Sequence, residues 1–273
     1  MRTPEFWGPG KGGAPAALLQ PVAWSYSLAA QTRRAFTAPT RVSAPVICVG
    51  NVIAGGAGKT PTALALAKLL SDCGAAPHFL TRGHGGTARG PLRVDPKRHT
   101  ARMVGDEPLL LARRAPTWLA RHRPAGARAA IAGGADMIIM DDGLQNPSLA
   151  KDISLIVVDG GFGFGNGRLL PAGPLREPIA RGLARADAVV LVGPDEVGAG
   201  ETLAPHGVPL LRAELTPTLN AQKLRGRAVV AFAGIGRPAK FFRTLDAIGC
   251  EVIGRVAFAD HHRYTPNEIM TLV

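Results

Sequence analysis

The run Ile53-Ala-Gly-Gly-Ala-Gly-Lys-Thr60 carries the most specific chemistry in the sequence. Gly55, Gly56 and Gly58 lack the Cβ that would hold backbone amides away from an anion, so the run can close around phosphate oxygens. Lys59 supplies a point charge for β- and γ-phosphates, and Thr60 a hydroxyl for Mg2+. Ile53, Ala54 and Ala57 complete the expected nucleotide-binding loop. One position departs from the usual pattern, since Ile53 stands where such loops normally begin with glycine. A glycine-rich turn that binds no nucleotide is the alternative.

Carboxylates provide the second half of that chemistry. Asp141 and Asp142 end an apolar run, the place where phosphate-loop enzymes keep the acid that holds Mg2+ directly or through water. Such a pair can also simply begin a turn. Asp106, in Gly105-Asp-Glu-Pro108, could accept the proton of an attacking hydroxyl. Residue pattern alone favours a helix N-cap there. In Asp260-His-His-Arg-Tyr264 a histidine with an aspartate partner could act as a base or orient one, or the run be only a surface loop. Arg82, in Thr81-Arg-Gly-His-Gly-Gly86, is placed to clamp a phosphate. Residues 160–168, with Phe162, Phe164, Asn166 and Arg168, run into a Pro/Gly-rich stretch that suits a rigid wall beside a nucleotide.

The elements that must position these groups follow from hydrophobic periodicity. Residues 46–49 form a β-branched run, followed by the glycine loop and then a helical pattern over 61–70, giving strand, loop and helix. Further strands are expected at 77–80, 137–140, 153–158 and 187–192, and a helix at 106–114. Residues 83–102 read as a loop. The strand runs are continuously apolar rather than alternating, which indicates a parallel sheet covered by helices on both faces. The expected fold is therefore α/β, a phosphate-loop NTPase-like sheet. A polar stretch at 217–227 separates it from a strand at 228–233, a helix at 238–248 and a strand at 251–258. Three parts are expected: an amphipathic N-terminal segment over 1–45, the phosphate-loop core over 46–218, and a smaller α/β domain over 219–273. The last is expected to be incomplete, because a helix beginning at Pro266 meets the end of the sequence.

Charge and composition narrow the partners. The chain carries a formal charge of +12, and eleven Arg and Lys against three acids lie between Thr81 and Arg128. That surface favours anions: nucleotides, a phosphorylated substrate, an acidic membrane face or nucleic acid. Nucleic-acid binding wants interleaved aromatics, and this stretch offers only Trp118. Three widely spaced cysteines with no CxxC pair argue against a zinc site or disulfide framework. From Gly12 to Thr32 there is no charge, and Leu18, Leu19, Val22, Trp24, Tyr26 and Leu28 supply apolar bulk before Arg33, Arg34 and Arg41. Composition allows a helix lying in a membrane interface as readily as one packed on the protein's own core.

Taken in order, the segments resemble one family, the tetraacyldisaccharide 4'-kinases. The resemblance rests on Val49-Gly-Asn-Val-Ile-Ala-Gly-Gly-Ala-Gly-Lys-Thr-Pro61, Thr81-Arg-Gly-His-Gly-Gly86, Gly105-Asp-Glu-Pro108 and Asp141-Asp-Gly-Leu-Gln145. It continues through Gly165-Asn-Gly-Arg-Leu-Leu-Pro-Ala-Gly-Pro-Leu-Arg-Glu-Pro178, Ala233-Gly-Ile-Gly236 and Phe258-Ala-Asp-His261. The family shares the non-glycine position at Ile53. Asn146-Pro147 replaces the His and aromatic often found there. The resemblance implies transfer of the γ-phosphoryl of ATP, with Mg2+, to the 4'-hydroxyl of a tetraacylated disaccharide 1-phosphate, giving lipid IVA in lipid A biosynthesis. It implies Asp106 as catalytic base with His261 as its partner, and Thr60, Asp141 and Asp142 as Mg2+ residues. Arg82, Asn166 and Arg168 become contacts to phosphate or substrate. A monomer on the cytoplasmic face of a bacterial inner membrane is expected, with an anionic membrane surface and the acylated lipid as partners and no nucleic acid. A regulatory ATPase remains a second reading of the same loop, and a nucleic-acid-binding protein a third, suggested by charge alone.

Overall fold

The computed structural model describes residues 4–259, 262 and 264–272, with only the backbone of Arg33. The chain divides into two compact units, one over Glu5–Ala213 and one over Glu214–Val273. The larger begins with helices α1 (Gly13–Leu18) and α2 (Gln20–Ala35). Strand β1 (Val46–Gly50) and helix α3 (Lys59–Asp72) follow, then β2 (Pro77–Thr81) and β3 (Leu92–Arg93). Next come α4 (Ala101–Val104), α5 (Asp106–Ala112), β4 (Thr117–Leu119), α6 (Arg123–Ala132), β5 (Met137–Asp141) and β6 (Ile153–Asp159). The unit ends with α7 (Ile179–Leu183), β7 (Ala188–Val192), α8 (Ala199–Leu203) and β8 (Leu210–Ala213).

The strands form one sheet in the order β3-β4-β2-β5-β1-β6-β7-β8. Every pairing is parallel except that of β3 with β4. Continuous apolar strands make this arrangement possible, because alternate residues enter different layers. Leu80, Ile138 and Met140 pack in one core with Ala127 and Ala130 of α6. Their neighbours Phe79 and Ile139 pack in the other, with Ala63 and Ala67 of α3 and Leu111 of α5. Helices therefore cover both faces, as the sequence pattern requires. The stretch expected to be loop over 83–102 contains β3 and the start of α4. Two residues of strand are too short to show a period, and β3 exists only because β4 offers an edge.

The smaller unit contains α9 (Leu219–Gln222), β9 (Ala228–Ala233), α10 (Pro238–Ile248), β10 (Glu251–Ala257) and α11 (Pro266–Leu272). β9 and β10 pair in parallel, and the crossover helix α10 buries Phe242, Leu245 and Ile248 with Ala231 and Ala233. Beyond β10, the His262 ring stacks on Phe258 with centroids 4.6 Å apart, and its Nε2 lies 3.0 Å from Glu268 Oε1. Asp260, His261 and Arg263 lie outside the described residues.

Candidate active site

The glycine loop sits between β1 and α3, at the carboxyl ends of the parallel strands. Its first residues are pinned from outside: Ile53 makes an antiparallel bridge with Leu175, and the Ala54 amide donates to Pro174 O at 2.7 Å. That use explains the isoleucine at position 53. Its buried side chain joins the core with Leu175, an anchor that glycine would not supply. Gly58 takes φ 92° as the residue before α3, a conformation that L side chains rarely adopt. A Cβ at Gly55 or Gly56 would meet nothing within 4 Å. The loop thus presents backbone to an open cradle, at the N-terminal end of a fourteen-residue helix whose dipole favours anions.

Asp141 and Asp142 are carried to this cradle by register. β5 pairs with β1 so that Asp141 stands opposite Val49, and the Asp142 amide donates to Val49 O at 2.9 Å. Asp142 has φ 50°, a strained left-handed position for a residue with a Cβ. Lys59 Nζ lies 3.6 Å from Asp142 Oδ1, and Arg176 donates to the same oxygen at 2.8 Å. Burial opposes the charge on Asp142, but these two cations outweigh it and hold its pKa below the usual carboxylate range. Asp141 is the contrary case. It is buried, and its Oδ1 has no hydrogen-bond partner among the described residues. Burial, then Glu107, then Asp142 push its pKa up to about 7 against Lys59 and Arg123.

That perturbation locates two groups the sequence did not single out. Glu107, beside Asp106 in the first turn of α5, acts on Asp141 electrostatically. Asp106 itself is exposed at the same helix start. Arg123, the first residue of α6, is buried, donates from Nη1 to Ala120 O at 2.5 Å and leaves Nε without a partner among the described residues. Burial and then Arg82 lower its pKa to about 10, while Asp142 and Asp141 oppose the shift. So Arg82, Arg123, Glu107 and the aspartate pair share one rim. Arg176 belongs to the Pro/Gly-rich run that ends at Pro178, but nothing in its spacing points to Asp142.

Asn166 and Arg168 form part of a separate wall. The Asn166 amide donates to Phe6 O at 2.7 Å and to Ala172 O at 3.0 Å, and its Oδ1 accepts from the Arg168 amide. Its side chain thus ties the N-terminal segment to the loop. Arg168 reaches Gln20 Oε1 at 3.4 Å and lines a cavity of about 560 Å³ with Lys11, Phe162 and Val197.

A glycine loop between strand and helix, a buried lysine and an acid pair at the end of the adjacent strand define a phosphate-loop nucleotide-binding protein. Comparisons with known proteins agree. The family model described as tetraacyldisaccharide-1-P 4'-kinase matches residues 15–273. Relatives called tetraacyldisaccharide 4'-kinase include one from Rhodospirillum centenum, 54% identical over 277 residues, covering 100% of this chain and 82% of the relative. Another, from Rhodospirillum rubrum, is 54% identical over 276 residues, covering 100% of the chain and 83% of the relative. Among solved structures, the "apo" form of LpxK from Aquifex aeolicus in complex with ATP is similar, with a TM-score of 0.72 and 28% identity. It covers 92% of this chain and 85% of that one. The chain belongs to the tetraacyldisaccharide-1-P 4'-kinase family.

Proposed function

We propose that the chain transfers the γ-phosphoryl group of ATP to the 4'-hydroxyl of a tetraacyldisaccharide 1-phosphate, forming lipid IVA for lipid A. The observation that carries this reading is the open backbone cradle at Gly55 and Gly56, bordered by buried Lys59 and by the unpartnered oxygen of Asp141. Phosphoryl transfer needs little covalent help from a protein; positioning and charge stabilisation do the work.

In this reading the amides of the turn at 55–58 and the Lys59 ammonium hold the nucleotide phosphates, while Ile53 and Ala54, whose amide is taken by Pro174 O, anchor the turn. Thr60, Asp141 and Asp142 hold Mg2+, and the donor set suits that ion: one hydroxyl and two carboxylates leave room for phosphate oxygens and water. Bound there, Mg2+ would supply positive charge that offsets the negative charge of the transferred phosphoryl group. Asp106 accepts the proton of the attacking 4'-hydroxyl. Arg82 and Arg168 contact anionic groups of nucleotide or lipid, and Asn166 shapes the wall that presents Arg168.

The acylated acceptor brings the enzyme to lipid. Leu18, Val22, Trp24, Leu28 and Phe36 are exposed, whereas small residues, Ala16, Ala23 and Ser27, are buried. The helix pair thus turns its bulk outward, and among the described residues no helix is long and apolar enough to cross a membrane. The proposal is a monomer that rests this face on an anionic membrane surface, the cytoplasmic face of the bacterial inner membrane. Transfer of labelled phosphate from ATP to purified disaccharide 1-phosphate in detergent tests the activity. Product formation that needs Mg2+ and is lost in Asp106→Ala, and sharply reduced in His261→Ala, is the expected result. Hydrolysis indifferent to the acceptor would point instead to an ATPase.

A further inference from the structure

We infer that Arg34, near the end of α2, is a positioning residue that couples the seating of this helix to the geometry of the Asp142 loop. The inference rests on the reading above, in which α2 meets lipid and Asp142 serves the nucleotide site. Two strands of chain meet at Asp142: its own loop, and the segment that brings Arg176 to its carboxylate. Arg34 holds both. Its Nη2 donates to Leu144 O at 3.1 Å, two residues beyond Asp142. Its Nη1 lies 3.5 Å from Glu177 Oε2, one residue beyond Arg176.

The connection is tight on the inner side. Glu177 is buried and also accepts from Arg185 at 2.9 Å and from Gln145 at 3.0 Å. Gln145 in turn donates to Asn51 O at 2.8 Å, at the start of the glycine loop. Leu144 is fully buried against Gly50, where a Cβ would come within 2.6 Å of the leucine Cβ, so its carbonyl has little room to move. The outer side is loose. The buried contacts of α2 are small, Ala23 and Ser27, and supply little apolar area to fix its angle. A helix held weakly by packing, tied at its first residue by Arg168 to Gln20 and near its last by the Arg34 guanidinium, transmits its tilt to the Asp142 loop through Arg34. Docking of the apolar face on lipid would fix the tilt and settle Asp142 and Arg176 in their binding geometry.

The test reads MgATP affinity on the full chain, without acceptor, with and without vesicles of phosphatidylglycerol and phosphatidylethanolamine. Wild type is expected to bind MgATP about fivefold or more tightly with vesicles, the lower end of typical coupling between sites. Arg34→Gln should lose that gain while still sedimenting with vesicles and melting near the wild-type temperature. Arg34→Lys, which can reach one acceptor but not both, should keep part of the gain. Vesicle-independent affinity in wild type, or an unchanged gain in Arg34→Gln, would overturn the coupling. So would loss of sedimentation together with the gain, since Arg34 would then be a plain membrane contact. A wild type that binds MgATP in this way yet transfers no phosphate to the disaccharide would sink the kinase reading alone.

Discussion

At the scale of single residues, Asp141 and Asp142 show how neighbouring carboxylates acquire opposite properties. Asp142 faces two cations and stays ionised; Asp141 is buried, and its pKa rises to about 7. A carboxyl whose folded pKa exceeds its unfolded one binds its proton more tightly when folded. Its effect on stability is therefore most favourable at low pH, worsens as pH rises from about 4 towards 7, and stays unfavourable above that. In ligand-free protein, Asp141→Asn should raise the melting temperature clearly near pH 8 and by well under half as much near pH 5. An equal shift at both pH values would mean that Asp141 titrates normally. Gly56→Ala probes the cradle in the opposite sense. The added methyl meets no protein atom within 4 Å, so melting should shift by no more than a degree or so, while the KM for ATP rises by about tenfold or more. The loop and the aspartates were legible in sequence because each lies in one short run with a diagnostic order. Glu107, Arg123 and Arg176 were not, because their meaning comes from partners 18 to 41 positions away that only the sheet brings near.

The elements follow the same division. β1, β2, β5, β6 and β7 announce themselves as apolar runs, since each is covered on both faces. β4 is three residues long, and β8 lies at an exposed edge, so neither carries a run that periodicity can detect. α6 was hidden for another reason: it opens Arg-Pro and six of its ten residues are alanine or glycine, which gives no strong apolar stripe. What makes that helix fit is smallness, with Gly126 lying where a Cβ would come within 2.5 Å of Ala120 and 2.6 Å of Leu80. Gly50, at the end of β1, matters more for the site. A Cβ there would overlap Leu144 at 2.6 Å, and Leu144 follows Asp142 by two residues. Gly50→Ala should therefore cost about 1–3 kcal/mol in denaturant unfolding, as overpacked cores do. It should also weaken MgATP binding by displacing the aspartate loop. Stability lost with nucleotide affinity intact would show that the loop can move aside freely.

At the scale of the whole molecule, the distribution of apolar surface sets what the enzyme can meet. Sequence composition left the N-terminal segment open between a membrane-lying helix and one packed inward, because both need apolar bulk. Only the direction of the side chains separates them. Leu18 is 80% exposed, Trp24 62%, Leu28 65% and Phe36 86%, while the buried residues of the two helices are alanine and serine. A helix packed inward would show the reverse pattern. Exposing this much apolar bulk is unfavourable in water and becomes favourable when lipid covers it, by about 1.5–3 kcal/mol for each large side chain fully withdrawn from water. Trp24→Ser with Leu28→Ser should therefore lower partitioning into anionic vesicles by at least about tenfold, even if each side chain is only half withdrawn. Melting temperature should not fall, because neither residue supports the core; a small rise is expected from the removal of exposed apolar surface. Basic charge contributes a second, separable part of the attraction, which salt screens and the apolar part does not. Vesicle binding of the double variant should thus fall steeply with salt, whereas wild type keeps a residual affinity at high salt. Partitioning that is unchanged by the two substitutions, or a marked loss of folded stability, would place this face against protein rather than lipid.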